Sequence, residues 1–258
     1  MIAKLCRHME KSGRCSRTIV HELRRACRAA EAAAWLLAPA KEPAFKDLRT
    51  CLKRLRRRAG NVRDVDVARL VLWSFEKSKS ARDAVTRLRE SLKERRRRAS
   101  RRLLLFIGEH PRGGIDRHAR ELIAASKGLT DTAVLASLRS LESRVRRLAA
   151  DRPRSIDAIH TLRIAGKRAV LAGDILRPMP SDSNPLAALV DQIGRLLDIQ
   201  VTIELARDEL QSASDSHGMK SASLLRALNR QVRTERSQVI LLCAPVARSP
   251  RSRPRSVQ

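Results

Sequence analysis

The chain has 258 residues, with 55 Lys plus Arg against 27 Asp plus Glu and a formal net charge of +28. Apolar residues make up 43% of it but aromatic ones only 2%, with no Tyr, and Gly and Pro number ten each. A Leu- and Ala-rich core with so few turn residues disfavours a strand-and-turn protein and predicts helices, while so positive a balance makes a polyanion (nucleic acid, anionic membrane or another polyanion) the expected partner.

Ile2, Cys6 and Met9 open a first helical stripe. The basic start lacks the hydrophobic core of a signal peptide and is read as part of the fold. Residues 18–37, TIVHELRRACRAAEAAAWLL, form the next helix. At ~100° per residue, His21, Arg24 and Arg28 fall within roughly 60° of one another, with Arg25 beside Arg28. Ile19, Leu23, Ala26, Ala30, Ala33 and Leu37 lie on the opposite, apolar side. Phe45, Leu48, Leu52 and Leu55 then step by three and four, with Lys53 and Arg56 on another face. Gly60 is expected to end that helix, and Asp64 to cap the next, which carries Val67, Leu70 and Val71. Arg63 either turns its charge to the site or pairs with Asp66. A long helix is expected from about Ala81 to Ile107, containing the run RRRRASRR at 95–102. GEHPRGG at 108–114 is the clearest break.

The second half opens around Arg117–Ala125, and Val134, Leu138, Leu141, Val145 and Leu148 form a heptad stripe. Residues 157–176, DAIHTLRIAGKRAVLAGDIL, repeat the earlier motif without gaps. His160, Arg163 and Lys167 correspond to His21, Arg24 and Arg28, and Ala158, Leu162, Ala165, Ala169, Ala172 and Leu176 form the apolar face. PMPSDSNP is a loop, Leu186 to Leu197 a helix, and GRLLDIQV at 194–201 mirrors GNVRDVDV at 60–67, so a second turn is expected at Gly194–Asp198. Residues 200–213 and about 219–244 supply the last helices, and 249–258 is a basic tail without apolar pattern. Two copies this far apart indicate duplication of a domain half rather than a solenoid, whose periods are ~20–50 residues.

Each copy sets three nitrogen donors one helical turn, ~5 Å, apart. Phosphoryl groups along a linear polymer repeat on a comparable scale, and the arginine fork suits phosphate oxygens. The histidines can charge beside a polyanion or donate one N–H while neutral. The scarcity of aromatics disfavours stacking recognition of single strands. No helix-turn-helix is evident, and nonspecific binding of nucleic-acid backbone remains the alternative. No phosphate-binding loop, nucleophile elbow or HExxH is present, and the six histidines form no close metal-ligand pair, so neither an enzyme nor a cofactor is expected. A phosphate-ester hydrolase accessory domain is a weaker alternative. No apolar run reaches the ~18 residues that span a bilayer. Five cysteines without a CxxC fit a reducing, cytoplasmic compartment; Cys27 and Cys51 read as small buried hydrophobes.

HELRRACR and HTLRIAGKR, each followed by a G-x-x-x-D segment, resemble the CHAD domain, the conserved histidine α-helical domain. The resemblance covers roughly residues 1–245, with halves of about 1–110 and 111–248. It implies an all-α fold of two four-helix bundles related by a pseudo-twofold axis. It also implies a basic central cavity that binds inorganic polyphosphate and a place at polyphosphate granules. By motif match the implied contacts are His21, Arg24, Arg28, His160, Arg163 and Lys167, with Lys53, Arg56 and Arg63 as further candidates. Arg168 fits the pattern, and Arg25 lies where it supplements Arg28. The chain departs from the family at Ala29 and Glu31, where arginines are usual, and at Val170 and Leu171, where an Arg-Tyr pair is usual.

Overall fold

A computed structural model describes residues 1–37, 43–76, 82–109, 113–176, 184–211 and 218–248. The described residues are all-α, with nine helices and no strand. In chain order they are α1 (Ile2–Ser12), α2 (Arg17–Leu37), α3 (Pro43–Trp73), α4 (Arg82–Glu109), α5 (Gly113–Ala125), α6 (Asp131–Ala150), α7 (Ile156–Leu176), α8 (Pro185–Gln211) and α9 (Gly218–Arg248). The tail at 249–258 and most of PMPSDSNP lie outside the described residues.

The two motif helices begin in the same way. Ser16 Oγ accepts from the Ile19 amide at 3.2 Å, and Ser155 Oγ accepts from the Ala158 amide at 3.1 Å. Each thereby satisfies one of the free N–H groups of its helix start. Gly13 ends α1 at φ 59°, in the left-handed region that glycine enters without steric cost. Thr130 caps α6, and Asn184 Oδ1 accepts two amides at the start of α8.

Three main clusters form the core. The first joins Cys6 and Met9 of α1, Leu23 and Cys27 of α2, Phe45 to Val62 of α3, and Leu103 and Ile107 of α4. The third joins Val145 and Ala149 of α6, Ile159 and Leu162 of α7, Leu189 to Leu197 of α8, and Val239 and Cys243 of α9. Between them, Leu72 of α3, Leu88 of α4, Ile203 of α8 and Leu228 of α9 belong to one shared cluster. Leu36 of α2 meets Leu138 of α6 and Ala172 of α7 in a small fourth cluster. The two halves are therefore joined through buried apolar side chains.

Several expectations change. Gly60 does not end a helix and Asp64 does not cap one, because α3 runs unbroken from Pro43 to Trp73. The Gly194–Asp198 segment is likewise internal to α8, which runs through to Gln211. Both glycines stay helical because packing on neighbouring helices outweighs their propensity cost of roughly 1 kcal/mol. Residues 117–125 do not open the second half: α5 lies on α3 and α2, and its Leu122, with Ile115 and Ala119, joins the first cluster. The buried band of α2 is also wider than the expected stripe. Val20, Cys27, Ala34 and Leu36 are buried, whereas Ile19, Ala30, Ala33 and Leu37 are half-buried, because α1, α3 and α7 cover different sides of the helix. Cys51 is half-buried and Leu70 exposed, as both turn away from these clusters.

Candidate anion site between the motif helices

Helix α2 packs on α3 and on α7, α7 packs on α8, and α3 packs on α8. The cationic motif faces meet where these four helices come together.

Arg24 lies across α3. Its Nη1 is 3.3 Å from Asp64 Oδ1, and its side chain is 15% exposed. A Cβ on Gly60 would stand 3.3 Å from the same Nη1. In the second copy Gly194 also lies beside its motif arginine, but a Cβ there would meet Arg163 Nη2 at an ordinary contact distance of 3.9 Å, and Asp198 is the strongest counter-charge to Arg163. Each G-x-x-x-D segment thus lies against its motif arginine. At Gly60 a side chain would crowd Arg24, and in both copies an aspartate one turn later, on the same face, opposes the arginine's charge. The helix stop at Gly60, the cap at Asp64 and the turn at Gly194–Asp198 expected from the sequence are not formed.

The charges act on one another across the two halves. Burial holds Arg28 down to about 9, and the neighbouring charges of Arg24, Arg163 and Arg56 push it further the same way. Burial likewise brings Lys167 down to about 8, helped by Arg163 and Arg28 and opposed by Asp191 and Asp198. Arg163 is lowered by burial despite Asp198, Asp64 and Asp191, and its Nε is buried without a hydrogen-bond partner. Arg63 is lowered by burial and Arg17, and opposed by Asp198 and Asp66. It makes no ion pair with Asp66, which Arg96 approaches at 2.6 Å, and its charge acts on His21. Burial raises Asp198, against the pull of Arg163, Arg63 and Lys167.

His21 and His160 are exposed at this cluster. Desolvation and the nearby arginines, Arg63 and Arg24 for His21 and Arg163 for His160, lower both. They therefore present neutral rings at pH 7, able to donate one N–H to an anion.

The other candidates lie around this cluster, and Arg25 and Arg56 act on it. Arg25 is exposed and acts on His21. Lys53 is exposed one turn before Arg56 on α3. Arg56 faces Glu31 at 3.6 Å, and Glu31 also lies 3.8 Å from Arg49. Arg168 stacks over Trp35 at 4.3 Å, with Arg49 at 5.7 Å from the same ring. Glu31, where the family usually has arginine, here draws Arg49 and Arg56 into ion pairs. In the 95–102 run, Arg95 pairs with Asp208 and Glu209, Arg96 with Asp66 and the Cys15 carbonyl, and Arg97 with Glu94. Arg98, Arg101 and Arg102 are exposed.

Half-buried cations at the junction outnumber the aspartates facing them, and among the described residues only Arg24 of the group has a carboxylate partner within ion-pair distance. The sequence matches the CHAD domain family over residues 2–199. The chain belongs to that family. No curated protein matches it. In this CHAD domain both motif histidines, both motif arginines and both G-x-x-x-D segments fall within the match. The described residues include no group of three or more His, Cys, Asp or Glu able to hold a metal ion. Among them, no helix is long and apolar enough to cross a membrane.

Proposed function

We propose that this CHAD domain binds inorganic polyphosphate between α2 and α7, without cleaving it. The observation that carries the reading is the half-buried surplus of Arg24, Arg28, Arg63, Arg163 and Lys167 over their aspartates. Placing like charges together partly out of water costs free energy that a multivalent anion offsets. The family's general association with polyphosphate and triphosphate binding supports the same ligand class. Matching Ser caps, arginine–aspartate placements and end clusters support an approximate twofold relation of α1–α4 to α6–α9. A linear phosphate chain would then run from one copy of the motif to the other. On this reading the protein accompanies polyphosphate in cytoplasmic granules.

Competition decides the ligand class. Unlabelled polyphosphate should displace labelled polyphosphate at a lower phosphate concentration than duplex DNA or RNA does. Equal displacement by DNA would instead assign a nonspecific nucleic-acid binder. Incubation of the protein with polyphosphate and added divalent metal should release no phosphate.

The pH dependence has a definite sign. Lys167 titrates near 8 in the fold against 10.5 as its ordinary value. As pH rises toward and past 8, the folded chain loses this proton before the unfolded one, so the ligand-free protein gains stability. Below that window Lys167 is charged in both states and its penalty is fully present. The buried thiols of Cys15, Cys27 and Cys243, all raised by burial, act in the opposite direction above about pH 9. Between pH 7 and about 8.5 the melting temperature of the ligand-free protein should therefore rise, while polyphosphate affinity falls. Differential scanning calorimetry and titration calorimetry across that range check both slopes. Parallel slopes would remove Lys167 from the site.

A further inference from the structure

A second basic surface lies on the other side of α3. Arg54, Arg57, Arg58 and Asn61 of α3, with Arg102, Leu105, Phe106 and Glu109 of α4, line a groove of about 680 Å³. At ~100° per residue the α3 members point roughly opposite to Arg56, Gly60 and Arg63, so the groove is separate from the motif-helix site. Arg54, Arg57, Arg58 and Arg102 are exposed, and none has an ion pair among the described residues.

We infer that this groove binds a nucleoside polyphosphate. Its volume falls within the roughly 300–1,000 Å³ of small-molecule sites. Its lining is mixed in a way that a bare phosphate chain does not use. The Arg58 guanidinium lies 5.7 Å from the Phe106 ring centroid, and Leu105 is 63% exposed beside it. A planar guanidinium next to an aromatic ring and an aliphatic side chain is a surface on which a base can stack. Arg57 and Arg102, one from each helix, supply forked donors for the phosphates. Glu109, the last residue of α4, would repel a bare polyphosphate but accepts hydrogen bonds from ribose hydroxyls or a base amino group. The ligand that suits all four features carries phosphates at one end and a base with a sugar at the other.

The test uses the full chain carrying Arg24→Ala and Arg163→Ala, so that the motif-helix site contributes little, and titrates it with ATP and with inorganic triphosphate. ATP should bind at least about fivefold more tightly, the contribution of one stacked base. Adding Arg57→Ala and Arg102→Ala should weaken ATP binding by about tenfold or more. Arg58→Lys keeps the charge but loses the planar stack. It should weaken ATP binding and leave triphosphate binding unchanged. All three arginines are exposed, and melting curves should be unaltered. Equal affinity for ATP and triphosphate, or ATP binding indifferent to the three substitutions, would overturn the assignment.

Discussion

Replacing Arg24 and Arg163 together by alanine is expected to weaken polyphosphate binding by about a hundredfold or more. A charge-assisted hydrogen bond is worth roughly 1.5–3 kcal/mol, so each arginine alone should account for about tenfold or somewhat more. The two lie in one mutually interacting cluster, so their effects need not add, and the double variant should be read with both singles as a cycle. The fold should tolerate the change. Arg24 gives up a pair with Asp64, whose side chain is 45% exposed and returns readily to water. Arg163 gives up a buried Nε without a partner, and Asp198 keeps the charges of Arg63 and Lys167 beside it. The salt dependence of binding should also become shallower, because fewer counterions are released per complex. Fluorescence anisotropy with labelled polyphosphate at several salt concentrations gives both quantities. Normal affinity in the double variant would move the site elsewhere on the basic surface.

Leu23→Ala and Leu162→Ala are expected to do the reverse. Leu23 is fully buried in the first cluster and Leu162 is 1% exposed in the third. Truncating either leaves a cavity that the surrounding helices fill only in part, at a cost of about 2–5 kcal/mol each. For a protein of ordinary marginal stability that is a large fraction of the total. Denaturant titration should show lower midpoints for both, and binding measured where the variants remain folded should be close to that of the parent. Each leucine lies two residues after its histidine and one before its arginine. The pair of experiments therefore separates the two faces of one helix.

The helices and the duplicated motif could be read from the sequence because each rests on a local period. Leucine and alanine at three- and four-residue steps define a buried face whatever it packs against, and the cations fill what remains. Phe45, Leu48, Leu52 and Leu55 are all buried as that period requires. The role of Gly60 and Gly194 was not legible in this way. Glycine followed by aspartate is the local signature of a helix stop and a new cap, and only the arginine packed against each segment from another helix, crowded at Gly60 by Arg24, shows what the pair faces. The i, i+4 spacing of each Gly-Asp pair was the available signal, since it places both on one face of an unbroken helix. Glu31 was hidden for a related reason. Its acidic charge among cations read as a missing arginine, whereas the fold uses it to pair with Arg49 and Arg56. The placement of α5 depended on which core offered room to Leu122, a matter of tertiary packing that no local pattern reports.

The central claim is that both motif copies serve one anion site. A crystal structure of the full chain with a short polyphosphate tests it most directly. The account requires phosphoryl groups between α2 and α7, within hydrogen-bonding distance of Arg24 and Arg28 from one half and of Arg163 and Lys167 from the other. Phosphate density confined to the α3–α4 groove or to the exposed arginines of the 95–102 run, with the motif helices holding no phosphate, would contradict it.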